Sequence, residues 1–155
     1  MAKAKTLKQD KKNKKKTEQT AVSYDKEKII WLFDRPDKAG EYAFDTAKIA
    51  ADNNLKKIFD SILEYSKLTW GEVLKHTHDA NKSKHHFLTS ISDTAYKRLL
   101  ALHLEEEADA LFSFALTNKL RIIGIRNKQF FSVLWYDPKH EVCPVGEKKH
   151  DISKL

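Results

Sequence analysis

The chain has 155 residues and a formal net charge of +7, a length that suits one domain and leaves little room for two. Its hydrophobic share of 41% supports a real core and its charged share of 33% points to a soluble protein, while four Gly and three Pro exclude collagen-like and low-complexity architectures. Cys143 is the single cysteine, so neither a disulfide framework nor a cysteine-based zinc site is available.

No apolar stretch approaches the ~18–20 residues of a membrane helix, and the first twenty residues carry charge with no apolar segment behind them, unlike a signal peptide. The expectation is a cytoplasmic protein without a membrane partner. The charge is unevenly spread. Residues 1–20 hold eight lysines against Asp10 and Glu18, residues 117–155 hold eight basic and four acidic side chains, and residues 21–116 are slightly acidic. Apart from Met1, Leu7 is the only large apolar side chain within residues 1–20, too little to offset the entropy of ordering a backbone. Residues 1–22 are therefore expected to be a disordered lysine-rich tail, 23–145 a single α+β domain and 146–155 a C-terminal tail. In the tail, Lys11, Lys12, Lys14, Lys15 and Lys16 can neutralise nucleic-acid phosphates and release counterions without reading sequence; a solubilising tail is the alternative reading.

Residues 28–34 (KIIWLFD) and 41–45 (EYAFD) are short β-type runs separated by RPDKAG, with Pro36 and Gly40 suited to a turn, and predict an N-terminal β-hairpin. Leu55, Ile58, Phe59, Ile62 and Leu63 then recur at spacings of three and four, which predicts an amphipathic helix within 46–66 packing one apolar stripe onto a core. Thr69 and Glu72 form a capping box with Leu68 and Val73 as its hydrophobic staple, so a short helix runs from Trp70 to about Lys75. Residues 76–90 are polar and irregular, and read as a loop. Ser92 or Asp93 caps a third helix reaching about Leu104, with Ala95, Tyr96, Leu99, Leu100 and His103 as its buried stripe. The acidic run EEEAD beyond it reads as solvated.

The last third is β. Leu111–Thr117 alternates, with Phe112, Phe114 and Leu116 on one side. Asn118-Lys119 turns the chain into Leu120–Arg126, Asn127-Lys128 turns it again, and Phe130–Asp137 ends at Pro138. Three hairpin-linked strands predict an antiparallel meander, in one sheet with helices on one face and water or a partner on the other.

The segment LFSFALTNKLRIIGIRNKQFFSVLWYDPKHEVCP, following a helical region, resembles the small RelE/ParE-type toxins of bacterial toxin–antitoxin pairs over roughly residues 50–142. The resemblance lies in the order of elements and in Arg121 and His140. It implies a toxin-type protein acting on RNA, a metal-independent mRNA endoribonuclease on the ribosome that uses the 2′-hydroxyl of the RNA as nucleophile, with a protein antitoxin as partner and no cofactor.

Such cleavage needs a base, an acid and fixed cations around the scissile phosphate. His140 titrates near working pH and suits the acid or base; its alternative is a loop histidine bonding Asp137 in the DPKH turn. Arg121 suits the phosphate clamp. Arg126, five residues on, points to the opposite face unless a bulge at Gly124 intervenes, whereas Lys119 shares a face with Arg121. Glu105, Glu106 and Glu107 are further candidates for a base, with a solvated acidic loop as the alternative. Trp135 follows the alternation of Phe131 and Val133 and is expected in the core, which leaves Tyr136 nearer the accessible face, where it can stack on a base. With Lys128 and Lys139 these residues make up the expected RNA contact. His76, His78, His85 and His86, with Asp79, lack a metal-ligand spacing, so no metal is expected. No nucleotide-binding or common hydrolase motif is present. The competing expectation is a non-catalytic module binding nucleic acid or protein, its tail supplying phosphate affinity.

Overall fold

The computed structural model describes residues 23–75, 83–85 and 90–144. The expected N-terminal and C-terminal tails and His76, His78, Asp79 and His86 lie outside them. In chain order the elements are β1 (Ile30–Leu32), α1 (Thr46–Ala51), α2 (Leu55–Tyr65), α3 (Trp70–Lys75), β2 (Lys84–His85), α4 (Asp93–Ala101), a 3-10 helix (Glu105–Ala110), β3 (Leu111–Ala115), β4 (Arg121–Asn127) and β5 (Phe130–Asp137). They form one mixed sheet in the order β1-β5-β4-β3-β2, so the α+β class holds.

The antiparallel meander β3-β4-β5 is present as expected. The N-terminal hairpin is not. β1 instead joins the far edge of the meander, parallel to β5, with Trp31 opposite Phe131. The second run of the expected hairpin shrinks to a single bridge between Ala43 and Trp135. The loop between the runs lies along the rest of the β5 edge, where the Asp37 amide donates to Leu134 O and the Tyr136 amide to Tyr42 O. Edge donors and acceptors on β5 outweighed a local hairpin because they were otherwise unpaired.

The expectation of a single covered face also fails. Ile49, Ile58, Trp70 and Val73 pack on one face of the sheet against Phe112, Phe114, Ile122, Phe131 and Val133. On the other face Ile91, Ala95 and Leu99 pack on Leu111, Ile123, Ile125, Leu134 and Trp135. With helices on both sides, β4 is buried at five consecutive positions, which matches its near-continuous apolar run.

The helices depart from expectation where an Asn or His enters the left-handed region. Asn53 has φ +60°, and the Asn54 amide reaches back to Ile49 O while that of Asn53 reaches Ala50 O, a C-terminal cap that splits the expected single helix into α1 and α2. His103 (φ +57°) does the same for α4; the Leu104 amide bonds Leu99 O. The helix stops at Ala101, and His103 and Leu100 are exposed, not part of the buried stripe. Both start signals hold: Thr69 Oγ1 accepts from the Glu72 amide, Glu72 Oε1 accepts from the Thr69 amide, and Ser92 Oγ accepts from the Ala95 amide.

Candidate functional site

The expected RNA contact divides between the two ends of the sheet. Arg121 and Asp137 are opposite one another across β4 and β5, so the turn carrying Lys119 and the turn carrying Lys139 and His140 lie at one end. Arg126 and Lys128 lie at the other, five residues along β4, which corresponds to about 16 Å. Arg121 and Arg126 point to opposite faces, since the five-residue spacing runs through β4 without an inserted residue.

Arg121 is only 2% exposed. Its Nη1 donates to Thr117 O at 2.6 Å and Leu120 O at 3.0 Å, closing the β3–β4 turn. Burial lowers the guanidinium pKa, and the neighbouring Asp137 carboxylate opposes that shift. Asp137 is itself pushed up by burial, against backbone hydrogen bonds from Glu141 and Val142. Its two oxygens accept those amides at 3.0 and 2.9 Å, so Asp137 organises the turn through its backbone. His140 sits in this turn, half-buried, with φ +59°. Arg121, expected as a phosphate clamp, is thus buried and bonded to backbone carbonyls of its own turn.

Tyr136 is also buried, contrary to expectation. The register of β4 on β5 slips between Ile123, opposite Trp135, and Gly124, opposite Val133, leaving Leu134 as the extra residue. That bulge turns Leu134 and Trp135 to the same face and sends Trp135 away from Phe131 and Val133, so both aromatics enter cores, one on each side. Gly124 makes the slip possible: a Cβ there would stand 2.2 Å from Ser132 O and 2.7 Å from the Phe131 ring. The Tyr136 hydroxyl donates to Asp52 Oδ2 and accepts from Asn54 Nδ2, both at 2.8 Å. Burial and the Asp52 charge push its pKa up to about 12, against the Asn54 hydrogen bond.

Arg126 lies over the Trp70 ring at 4.1 Å, donates to Lys128 O at 3.1 Å and pairs with Asp25 at 3.3 Å. Lys119, Lys128 and Lys139 are exposed. Glu107 pairs with Arg35, and the acidic run is the 3-10 helix with Ala108 buried beneath it. Among the described residues no group of His, Cys, Asp and Glu is arranged to hold a metal ion.

Two groupings differ from what the local sequence patterns predict. The Asp37 carboxylate accepts from Arg98 Nε and Nη2 at 2.8 and 2.7 Å, from Trp135 Nε1 at 2.9 Å and from the Ala39 amide at 3.2 Å. Burial raises its pKa, but these hydrogen bonds outweigh burial and leave it below its ordinary value. The pair joins residues 61 positions apart, a separation that no local pattern reports. The second grouping is on α2, where Leu55, Phe59 and Leu63 are 44%, 63% and 48% exposed. Ile58 alone of the expected stripe is fully buried, with Ile62 partly so.

A family model described as uncharacterised protein UU032 matches residues 44–155. The chain belongs to this family. The matched span takes in α1 to β5 and leaves β1 and the Asp37 loop before it. No curated protein and no solved structure matches the chain. Among the described residues no helix is long and apolar enough to cross a membrane.

Proposed function

We propose that this UU032-family protein is a non-catalytic module for a polyanionic partner of the nucleic-acid type, with residues 1–20 supplying most of its phosphate affinity. The observation that carries this reading is the fate of Arg121. The one cation that the RelE/ParE resemblance pairs with His140 is buried on two backbone carbonyls, whereas the surplus of lysine is concentrated before residue 17. Fixed cations are what a metal-independent cleavage needs at the phosphate, and a lysine tail supplies attraction without such positioning.

The test is binding of a labelled single-stranded RNA across a salt series, with the full chain beside a variant lacking residues 1–20. The deletion is expected to lose most of the affinity and most of the salt slope, because each phosphate contact removed lowers that slope by about 0.7 for a single strand. Retention of both by the deletion variant would move the contact to the folded body and refute the proposal. One observation favours an endoribonuclease instead: Lys119, Lys139 and His140 share one end of the sheet. Growth arrest on induced expression, relieved by His140→Ala at equal protein level, would establish that reading; unaffected growth with both chains would remove it.

A further inference from the structure

We infer that the exposed stripe of α2 is a self-association surface, on which a second copy of this chain packs its own α2 antiparallel about a two-fold axis at Phe59. The inference is independent of the phosphate-affinity reading. Leu55, Phe59 and Leu63 are large, apolar and 44–63% exposed, and they stand at i, i+4 and i+8 on one helix. The pattern is symmetric about its centre. Reversing the helix brings Leu55 onto Leu63 of the second copy and Phe59 onto Phe59, the isologous match that a closed dimer requires.

The neighbouring charges select the direction. Lys56, Asp60 and Glu64 form the row beside the stripe and are all well exposed, with Lys56 pairing to Asp60 and Glu64 to Lys67 within the chain. In an antiparallel pair related by this axis the same row meets itself reversed. Each helix rises 1.5 Å per residue, so Lys56 falls between Asp60 and Glu64 of the second copy, about 3 Å along the axis from each. Only the two Asp60 carboxylates approach like charge. A parallel two-fold pair instead sets this row on opposite sides of the seam, so the contacts of Lys56 with Asp60 and Glu64 of the second copy are lost. Three side chains fall short of the roughly 800 Å² per partner of a standard interface, so the dimer is weak and dissociates on dilution. Phe59 at the centre is its anchor.

Sedimentation of the full chain from ~1 μM to ~500 μM covers the range in which so small an interface associates. The expected result is a monomer–dimer equilibrium that Phe59→Glu weakens by at least about tenfold while circular dichroism stays unchanged. Cross-linking then reads the direction: Leu55→Cys mixed with Leu63→Cys gives a disulfide-linked pair under mild oxidation, and Leu55→Cys alone does not. A monomer throughout, a dimer indifferent to Phe59→Glu, or linkage of Leu55→Cys to itself overturns the inference.

Discussion

Replacing Arg98 by Met retains the length of the side chain and removes the guanidinium from Asp37. Two of the four hydrogen bonds to that carboxylate go with it, leaving Trp135 Nε1 and the Ala39 amide. Asp37 is 2% exposed while Arg98 is 27% exposed, so the pair is shallow and Arg98 is the lid over a stranded charge. Breaking a buried pair from one side costs about 3–5 kcal/mol; partial access of water to this site places the loss near about 3 kcal/mol. With an m-value of about 2 kcal/mol/M, the urea midpoint followed by tryptophan fluorescence falls by about 1.5 M. The pH dependence gives the sign. Asp37 titrates below its ordinary value in the fold, so its contribution is complete above the unfolded carboxylate pKa and is lost as pH falls through the folded one. In Arg98→Met the carboxylate protonates more readily, and the deficit against the wild type shrinks below about pH 4. Removing the acid as well, in Asp37→Leu/Arg98→Met, recovers part of the loss. A deficit under about 1 kcal/mol that is flat from neutral pH to pH 3 is what a solvated pair gives, and it would refute the reasoning.

Other outcomes follow from the same geometry. Gly124→Ala drives a methyl against Ser132 O and the Phe131 ring, and a loss of about 3 kcal/mol or more is expected in thermal unfolding; a change within about 0.5 kcal/mol would mean that the β4–β5 approach is looser than described. Phe112→Ala, in the buried face, is expected to cost about 3–5 kcal/mol in urea unfolding, whereas Leu63→Ala, on the exposed stripe, stays within about 0.5 kcal/mol at a dilution where the chain is monomeric. Equal effects would place α2 differently on the sheet. Tyr136→Phe removes the hydroxyl shared by Asp52 and Asn54 and should lose about 1 kcal/mol; alkaline difference spectroscopy should show one tyrosine fewer titrating near 12.

Patterns confined to a few neighbouring residues were legible in the sequence. Thr69 and Glu72 sit three apart, so their capping box and the start of α3 could be read directly. The alternation of Phe112 and Phe114 gave β3, and the turns at 118–119 and 127–128 gave the antiparallel meander. The splitting of α1 from α2 was legible in principle, since Asp52-Asn53-Asn54 is a run that favours caps and left-handed backbone over helix interior. The candidate site was less readable. Tyr136 was assigned to an open surface by alternation, which holds only while the register does, and Arg121 was taken for a phosphate clamp from the resemblance, which carries no information on its burial.

Local periodicity, caps and turn chemistry are properties of neighbours along the chain, and they determined α2, α3, α4 and the strand order of the meander, as composition did the concentration of lysine within residues 1–20. Tertiary structure decided which edge β1 would join, whether a second layer covered the sheet and which face each aromatic took, because those outcomes depend on unpaired groups far apart in sequence. The Leu134 bulge shows the physical reason most plainly. One residue inserted opposite Gly124 reverses the faces of everything after it relative to the residues before, and it is tolerated where Phe131 fills the space that a side chain at Gly124 would occupy. Asp37, Arg98 and Trp135 then meet on the second face, a convergence that exists only once the strands have paired.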